Sequence, residues 1–144
     1  VMSKRVLIAL DGSEASERAL EVGCRWAKAL DCVADCISVI DLSSLDVYDG
    51  FYMTDDQLTK VEEKFQTGVL EHAQEAGAKA GVGEIRTRLV KGHAAKVLLE
   101  EAEKDDVEML VVGRTGKNFL DRLVLGSVSH RLSARASCPV VIVG

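Results

Sequence analysis

The stretch that decides the fold lies at residues 5–16 and reads RVLIALDGSEAS. Its apolar run from Val6 to Leu10 has no polar interruption, which is the pattern of a strand buried on both faces. Asp11-Gly12 ends the run, and Ser13 is a preferred N-cap residue for the helix that follows. A doubly buried strand that passes directly into a helix indicates an α/β domain with a parallel sheet.

The rest of the chain continues this alternation of strands and helices. Apolar periodicity predicts, after the first strand, a helix from Ser13 to about Leu30, a strand at Cys32–Ile40, a helix over Leu58–Ala76, a strand at Ile85–Val90, a helix at Ala95–Ala102, a strand at Met109–Val112, a helix at Gly126–Ala136 and a strand at Val140–Val143. Because strand–helix–strand units join as right-handed crossovers, we expect one domain, residues 1–144, with helices on both faces of a doubly wound, five-stranded parallel sheet. The predicted strand order is 3-2-1-4-5.

Two local patterns give more specific expectations. The third strand alternates apolar and polar residues, which is typical of an edge strand, with Arg86 and Arg88 protecting its open side. His72 falls on the apolar stripe of the second helix and is interpreted as a core or interface residue. His93 and His130 are interpreted as surface residues, since neither belongs to a recognisable nucleophile or metal motif.

Composition and charge exclude several classes of function. The chain has 144 residues, with 18 Lys and Arg against 23 Asp and Glu, and a formal net charge of −5. Scattered basic residues on an acidic chain offer no surface for a phosphate backbone, so no nucleic-acid partner is expected. No apolar run approaches the ~20 residues of a membrane span and no secretory signal is visible, so we expect a cytoplasmic protein with no membrane partner. The four cysteines form no C-x-x-C pair and are predicted to be mostly buried apolar residues.

The loops after the first and fourth strands carry the candidate binding chemistry, because ligands of doubly wound sheets lie where the direction of winding switches. Gly113 ends the fourth strand, where a missing Cβ lets a ligand approach the backbone, and Gly116 permits a positive φ in the turn. Gly126-Ser127 then opens a helix whose N-terminus offers unpaired N–H groups and partial positive charge to an anion. Across the switch point, Asp11 can contact a sugar hydroxyl or a phosphate-bound metal, or can form only an Asx turn.

The spacing of these residues resembles the ATP-binding branch of the universal stress protein family. That family's signature is Gly, two residues, Gly, nine residues, Gly and then Ser or Thr, and this chain matches it at Gly113, Gly116, Gly126 and Ser127. The resemblance extends over nearly the whole chain, because three further segments match in order: Val6–Ser13, Val90–Gly92 and Cys138–Val143.

The resemblance implies a site for ATP, or for another adenine nucleotide, and a role as a stress-response regulatory module. The implied site residues are Ala9, Leu10, Asp11 and Val39 for the adenosine, Val112 and Gly113 for the ribose, and Gly116, Gly126, Ser127 and Val128 for the phosphates. Mg²⁺ or Mn²⁺ would be carried by the phosphates rather than by a set of side chains. The resemblance also implies a homodimer paired through Val140–Val143, which would otherwise be an open apolar edge.

An enzymatic function of the same fold is the alternative. A slow ATPase or a phosphotransferase that labels itself or a partner could use Ser127 or Thr115 as the acceptor. Nothing in the sequence supplies a water-positioning base or an arginine finger of known placement, on which phosphoryl transfer depends. The sequence assigns no role to Arg114, and the cluster Phe51-Tyr52-Met53 could cap the adenine, pack against a partner or lie under a long loop.

Other nucleotide-binding motifs do not fit the chain. A Walker-type loop counted back from Gly116-Lys117 requires glycine where Val111 stands and Ser or Thr where Asn118 stands. A phosphorylated receiver domain would need an acceptor aspartate where the third strand ends in Val90 and Lys91.

Overall fold

The structure is a computed structural model that describes residues 3–41, 54–114 and 126–144. Thr115, Gly116 and the cluster Phe51-Tyr52-Met53 lie outside the described residues.

The described elements follow the predicted order. The strands are β1 (Arg5–Ala9), β2 (Val33–Ile40), β3 (Ile85–Lys91), β4 (Val107–Gly113) and β5 (Val140–Val143). The helices are α1 (Glu14–Ala29), α2 (Asp55–Phe65), α3 (Glu71–Ala80), α4 (Ala94–Ala102) and α5 (Ser127–Arg135), and a π-helical turn, Gln66–Leu70, joins α2 to α3.

The sheet has the order β3-β2-β1-β4-β5, and all of its strand pairs are parallel. This confirms the predicted strand order and the doubly wound α/β fold. On one face, here called the α1 face, Ile8 and Leu10 pack with residues of α1 and α3. On the other, called the α5 face, Leu7 and Leu110 pack with α4 and with Leu132 of α5.

The start of α1 follows from the residues identified in the sequence. Gly12 has φ +83°, a left-handed conformation that reverses the chain after β1. The Ser13 side chain accepts a hydrogen bond of 3.1 Å from the N–H of Ser16, as an N-cap should. Glu14 and Glu17 in the first turn add negative charge where the helix dipole favours it.

The π-helical turn changes which face of the second helical segment is buried. A turn with one extra residue advances the apolar stripe by one position, so the buried residues after it are Leu70, Ala73 and Gly77. His72, on the stripe expected for a continuous α-helix, is instead 48% exposed, with Nε2 3.2 Å from Oε2 of Glu17. The interpretation of His72 as a core residue is therefore wrong, and its alternative, a residue at an interface, stays a prediction.

A cluster of ion pairs lies on the α5 face of the sheet, under α4. The side chain of Asp35 on β2 is only 1% exposed and is bound by Arg5 of β1 and by Arg88 of β3. The Nε and Nη2 atoms of Arg88 lie 3.1 and 2.9 Å from Oδ1 and Oδ2 of Asp35. Both arginines also reach Oε2 of Glu101, at 3.0 and 3.1 Å. Only part of the expectation for β3 is thus confirmed: it is an edge strand and Arg86 is exposed, but Arg88 turns inward to this cluster.

The cysteines behave as predicted. Cys24, Cys32 and Cys36 are buried and Cys138 is half-buried, all with free thiols. Burial raises the pKa of all four thiols above the ordinary value, which suits apolar packing rather than nucleophilic chemistry. None of the helices in residues 3–41, 54–114 and 126–144 is long and apolar enough to cross a membrane.

Candidate functional site

The candidate site lies at the switch point of the sheet. β1 pairs with β2 on one side and with β4 on the other, so the segments that follow β1 and β4 leave the same edge. The first leads into α1 on the α1 face and the second into α5 on the α5 face. This is the cleft geometry at which doubly wound sheets hold ligands.

The N-terminus of α5 has the free donors that the sequence predicts. Gly126 is the N-cap residue, and no side chain of the described residues caps the helix. Its own N–H donates to the carbonyl of Arg114 at 2.8 Å, while within the described ranges nothing accepts from the N–H groups of Ser127 and Val128. Ser127 and Val128 are exposed. The helix end therefore offers main-chain donors, one hydroxyl and the positive end of its dipole.

Gly113 has a structural role that the sequence does not reveal. A Cβ placed on Gly113 would lie 2.8 Å from the carbonyl carbon of Ala15 and 2.9 Å from the N of Ser16. The first turn of α1 therefore lies too close to the end of β4 for any side chain there. The carbonyl of Gly113 accepts a 2.6 Å hydrogen bond from Oγ of Ser129, so this residue holds both α1 and α5 against the sheet.

The predicted adenosine and ribose residues divide between the two faces of the sheet. Ala9, Val39 and Val112 pack on the α5 face, the same face as the open N-terminus of α5. Leu10 packs on the α1 face and is 5% exposed. The side chain of Leu10 therefore lies on the opposite face of the sheet from the side chains of Ala9, Val39 and Val112.

Asp11 forms the Asx turn that the sequence left as an alternative. Its Oδ1 accepts a 2.9 Å hydrogen bond from the N–H of Ser13, and its own N–H lies 3.4 Å from Oγ of Ser16. The carboxylate thus orders the turn between β1 and α1 and is half-buried. A ligand contact by its second oxygen stays a prediction.

Leu10 and Asp11 also line a cavity of about 210 Å³ that sequence reasoning missed. It lies on the α1 face between α1 and the segment formed by α2, the π-helical turn and α3. Its other lining residues are Gly12, Ser16, Glu17, Leu20, Lys64, Phe65, Gly68, Val69 and His72. The sequence carries no signal for the π-helical turn beyond the presence of Gly68 within the helical pattern.

The remaining candidates lie at the surface of the described residues. His93 is at the N-cap position of α4, 66% exposed, with Nδ1 3.6 Å from Oδ2 of Asp41. His130 is exposed, as expected, and the half-buried Arg114 donates its N–H to the carbonyl of Val143 at 2.7 Å. Among the residues described, no three His, Cys, Asp or Glu side chains come together to hold a metal ion.

The fold and this edge define the class: a doubly wound α/β domain whose switch point holds a helix N-terminus that no described side chain caps. The sequence model of the universal stress protein family matches residues 2–144, and the chain belongs to that family.

Curated relatives align along the whole chain. The Universal stress protein YxiE of Bacillus subtilis is 33% identical over 149 residues, covering 99% of both chains. The Universal stress protein MJ0531 of Methanocaldococcus jannaschii is 32% identical over 143 residues, covering 97% of this chain and 81% of that one.

Solved structures show the same fold. The universal stress protein UspA from Lactobacillus plantarum superimposes with a TM-score of 0.81 at 19% identity, covering 100% of this chain and 99% of the other. A universal stress protein in complex with cAMP gives 0.73 at 24% identity over 100% and 99% of the two chains. One from Archaeoglobus fulgidus in complex with dAMP gives 0.70 at 18% identity over 100% and 99%.

Proposed function

We propose that this protein is a regulatory module that binds an adenine nucleotide, ATP in particular, at the switch-point cleft. The observation that carries the proposal is the N-terminus of α5, which no side chain in the described ranges caps and which lies beside the ends of β1 and β4. Family membership supports it, and the complexes with cAMP and dAMP indicate that this fold accommodates adenine nucleotides.

The expected binding mode uses the main chain for the phosphates. The N–H groups of Ser127 and Val128 and the Ser127 hydroxyl would bind phosphate oxygens, since donors at a helix N-terminus favour anions. Ala9 and Val39, on the same face of the sheet, would pack against the base and sugar. Gly116, which belongs to the same expected set, would add a main-chain donor. Mg²⁺ or Mn²⁺ would be held mainly by the phosphates.

Calorimetry with ATP and magnesium on two variants tests this site. Ser127→Glu places a carboxylate in the first turn of α5, where it stabilises the helix but repels phosphate. We expect ATP affinity to fall at least tenfold. Ser133→Glu adds the same charge to an exposed position near the other end of α5 and should change affinity less than about twofold. No heat with the unaltered protein, or equal losses in both variants, would contradict the proposed site.

Gly113 is unsuitable for this test. A larger residue there collides with the backbone of α1, so lost binding would not separate a blocked ligand from a displaced helix.

A homodimer paired through Val140–Val143 is part of the proposal. β5 is the edge strand next to β4, and its four aliphatic residues are half-buried. An unpaired apolar strand of this kind readily pairs with another strand, and the same strand of a second copy would satisfy it.

The second candidate function is phosphoryl transfer to the protein itself. The observation that favours it is the exposed Ser127 hydroxyl at the helix end expected to hold the phosphates. In that reaction Ser127 Oγ would bond to the γ-phosphorus of ATP, its proton would pass to solvent, and ADP would leave.

Incubation with γ-labelled ATP and acid extraction separate the two functions. Intact ATP recovered from the purified protein, without label on the chain, supports the binding module. Label that appears on the protein within minutes and is lost in Ser127→Ala supports self-phosphorylation, and release of labelled phosphate supports a slow ATPase.

A further inference from the structure

We propose that an apolar ridge on α1 forms a second part of the interface between two copies of this chain. The α1 ridge consists of Val22, Trp26 and Leu30, and it packs against the second copy of the dimer expected to pair through β5. The inference rests on the dimer part of the proposed function and does not involve the nucleotide.

The α1 ridge is an exposed apolar stripe. Trp26 is 45% exposed and Leu30 is 43% exposed, while Val22 is half-buried. Residues four apart lie on the same side of a helix, so the three side chains are neighbours. A contiguous exposed apolar patch, unlike a single exposed residue, is typical of an interaction surface.

The flank of α1 that carries the ridge faces β5. Arg18, four residues before Val22, donates from Nε to the main-chain oxygen of Gly144 at 2.6 Å, and Gly144 directly follows β5. Val22 also packs against the same core as Val141 and Val143 of β5. The ridge is therefore continuous with the open edge of the sheet.

The opposite flank of α1 is occupied by α3. Nε2 of His72 on α3 lies 3.2 Å from Oε2 of Glu17, and the end of the Lys28 side chain lies against Gly81, the C-cap residue of α3. The α1 ridge is thus on the side of α1 that α3 does not cover.

Strand β5 alone is a small contact for a stable dimer. Its four residues, Val140–Val143, extend over about 13 Å. Each partner of a stable dimer buries about 800 Å², and one aromatic side chain can contribute about 150–250 Å² of that area. The α1 ridge lies beside the strand and supplies apolar area that the strand lacks.

The symmetry of a dimer brings Trp26 to the end of the second copy's β5. A closed two-fold dimer sets β5 opposite itself in antiparallel orientation, so the start of one strand lies beside the end of the other. The first turn of α1 lies beside Gly113, the pair of Val143, because a Cβ on Gly113 would lie 2.8 Å from Ala15. Helix α1 then runs back along the sheet, and Trp26 follows about 16 Å later, level with the residues that precede β5.

Arg18 is the side chain that Trp26 meets there. Its Nε bonds to the residue after β5, so in the antiparallel pair the guanidinium of Arg18 of the second copy lies beside Trp26. A guanidinium against an indole ring is a favourable cation–π contact. Two-fold symmetry repeats the contact, once on each side of the axis.

Fluorescence of the unaltered protein tests the contact directly, because Trp26 is the only tryptophan of the chain. Dilution that dissociates the dimer, followed in parallel by sedimentation, should move the emission to longer wavelength as the indole becomes exposed to water. Ile142→Pro, which removes an outward donor of β5, should show the long-wavelength emission at every concentration.

Sedimentation of two lysine variants measures how much the ridge contributes. Trp26→Lys removes the ring and places a second cation beside Arg18 of the second copy, so the dissociation constant of the dimer should rise at least tenfold. Gln74→Lys adds the same charge at an exposed position of α3 and should change the constant less than about twofold. Circular dichroism checks that both variants are folded.

The outcomes separate the ridge from the strand. Equal effects of the two lysine substitutions, or a dimer that dissociates with unchanged emission, would overturn the ridge contact and leave pairing through β5 standing. A monomeric unaltered protein would overturn both. A dimer that is lost in Trp26→Lys but survives Ile142→Pro would keep the ridge and reject the strand pairing. Nucleotide enters none of these measurements, so a failure of ATP binding would not affect them.

Discussion

Ser38 and Ser129 are both buried serines, but within the described residues only the hydroxyl of Ser129 has a hydrogen-bond partner. Oγ of Ser129 donates to the carbonyl of Gly113 at 2.6 Å, whereas Oγ of Ser38, on β2, has no partner among the described residues. A buried hydroxyl without a partner costs stability, and one with a partner contributes to it. We expect Ser129→Ala to lower the free energy of unfolding by about 1–2 kcal/mol, and Ser38→Ala to leave it unchanged or raise it by up to about 1 kcal/mol.

Urea denaturation of the two variants makes this comparison, because both changes remove one oxygen from a buried site. Equal losses in the two variants would mean that the Ser38 hydroxyl is hydrogen-bonded in solution.

Glycine is required at position 113 for packing. A Cβ at Gly113 would overlap backbone atoms of α1, which cannot move as a flexible side chain can. We expect Gly113→Ala to lower the free energy of unfolding by about 1–3 kcal/mol, measured by thermal or chemical denaturation.

Gly83 provides the matched control for Gly113. A Cβ there meets no described atom within 4 Å, so Gly83→Ala should be neutral or stabilise the protein by up to about 1 kcal/mol. A neutral effect of Gly113→Ala would show that α1 can move away from β4.

At the scale of elements, the ion-pair cluster fastens α4 to the sheet in a pH-dependent way. Burial alone would raise the pKa of Glu101, but hydrogen bonds from Arg88, Lys104 and Arg5 outweigh it and lower that pKa to about 2. A carboxyl whose pKa is lower in the folded state stabilises the fold above its unfolded-state value, near 4.3, and loses that contribution as the pH falls toward 2.

Glu101→Gln tests this contribution. At pH 7 we expect the free energy of unfolding to fall by about 2–3 kcal/mol, and the difference from the unaltered protein should shrink between pH 4.5 and 2. Glu100→Gln is the control, since Glu100 is exposed and forms no ion pair within the described ranges. A loss at pH 7 that persisted unchanged at pH 2 would assign the effect to packing rather than to charge.

The sequence predicted helices and strands well where one regular spacing of apolar residues runs through the whole element. The apolar runs of β1 and β4 and the N-cap Ser13 were enough for the strands and for the start of α1. The regular helical spacing placed His72 on the wrong side of its helix, because the extra residue in the π-helical turn rotates every later residue about the helix axis. The prediction that Arg88 protects the open side of β3 was also wrong. Alternation along β3 shows which face of the sheet the Arg88 side chain takes, but it does not show that Asp35 lies buried beside it.

The features of the candidate site were predictable in part. Chain alternation gives the switch point, and the residues around Gly126 give the open helix end. The contact of Gly113 with α1 joins parts of the chain nearly a hundred residues apart, and no local pattern encodes it. The cavity depends on the spacing of two helical segments and is hidden from the sequence for the same reason.

For the molecule as a whole, the open edge of the sheet decides the expected assembly. The carbonyls of Pro139 and Val143 accept hydrogen bonds from the N–H groups of Leu110 in β4 and of Arg114, the residue after β4. Because successive residues of a strand alternate in direction, the main-chain groups of Val141 also face β4, while the N–H and carbonyl of Ile142 face the open side. Ile142→Pro removes an outward donor at a place where an edge strand tolerates proline. We expect this variant to be a folded monomer in sedimentation experiments where the unaltered protein is a dimer.

Val141→Pro is the neighbouring comparison. It removes a donor that faces β4, so it should destabilise the fold itself and not only the assembly. An unaltered protein that sediments as a monomer, or a dimer that survives Ile142→Pro, would contradict pairing through β5.

The π-helical turn also bears on how this chain compares with its relatives. The turn holds one residue more than a regular α-helix of the same length needs. Deleting one residue between 66 and 70 would therefore give a continuous α-helix, and α2 and α3 would keep the same sides facing the sheet. Family members with an unbroken helix here are therefore expected to align with a one-position gap at this point, and to leave less room between that helix and its neighbour.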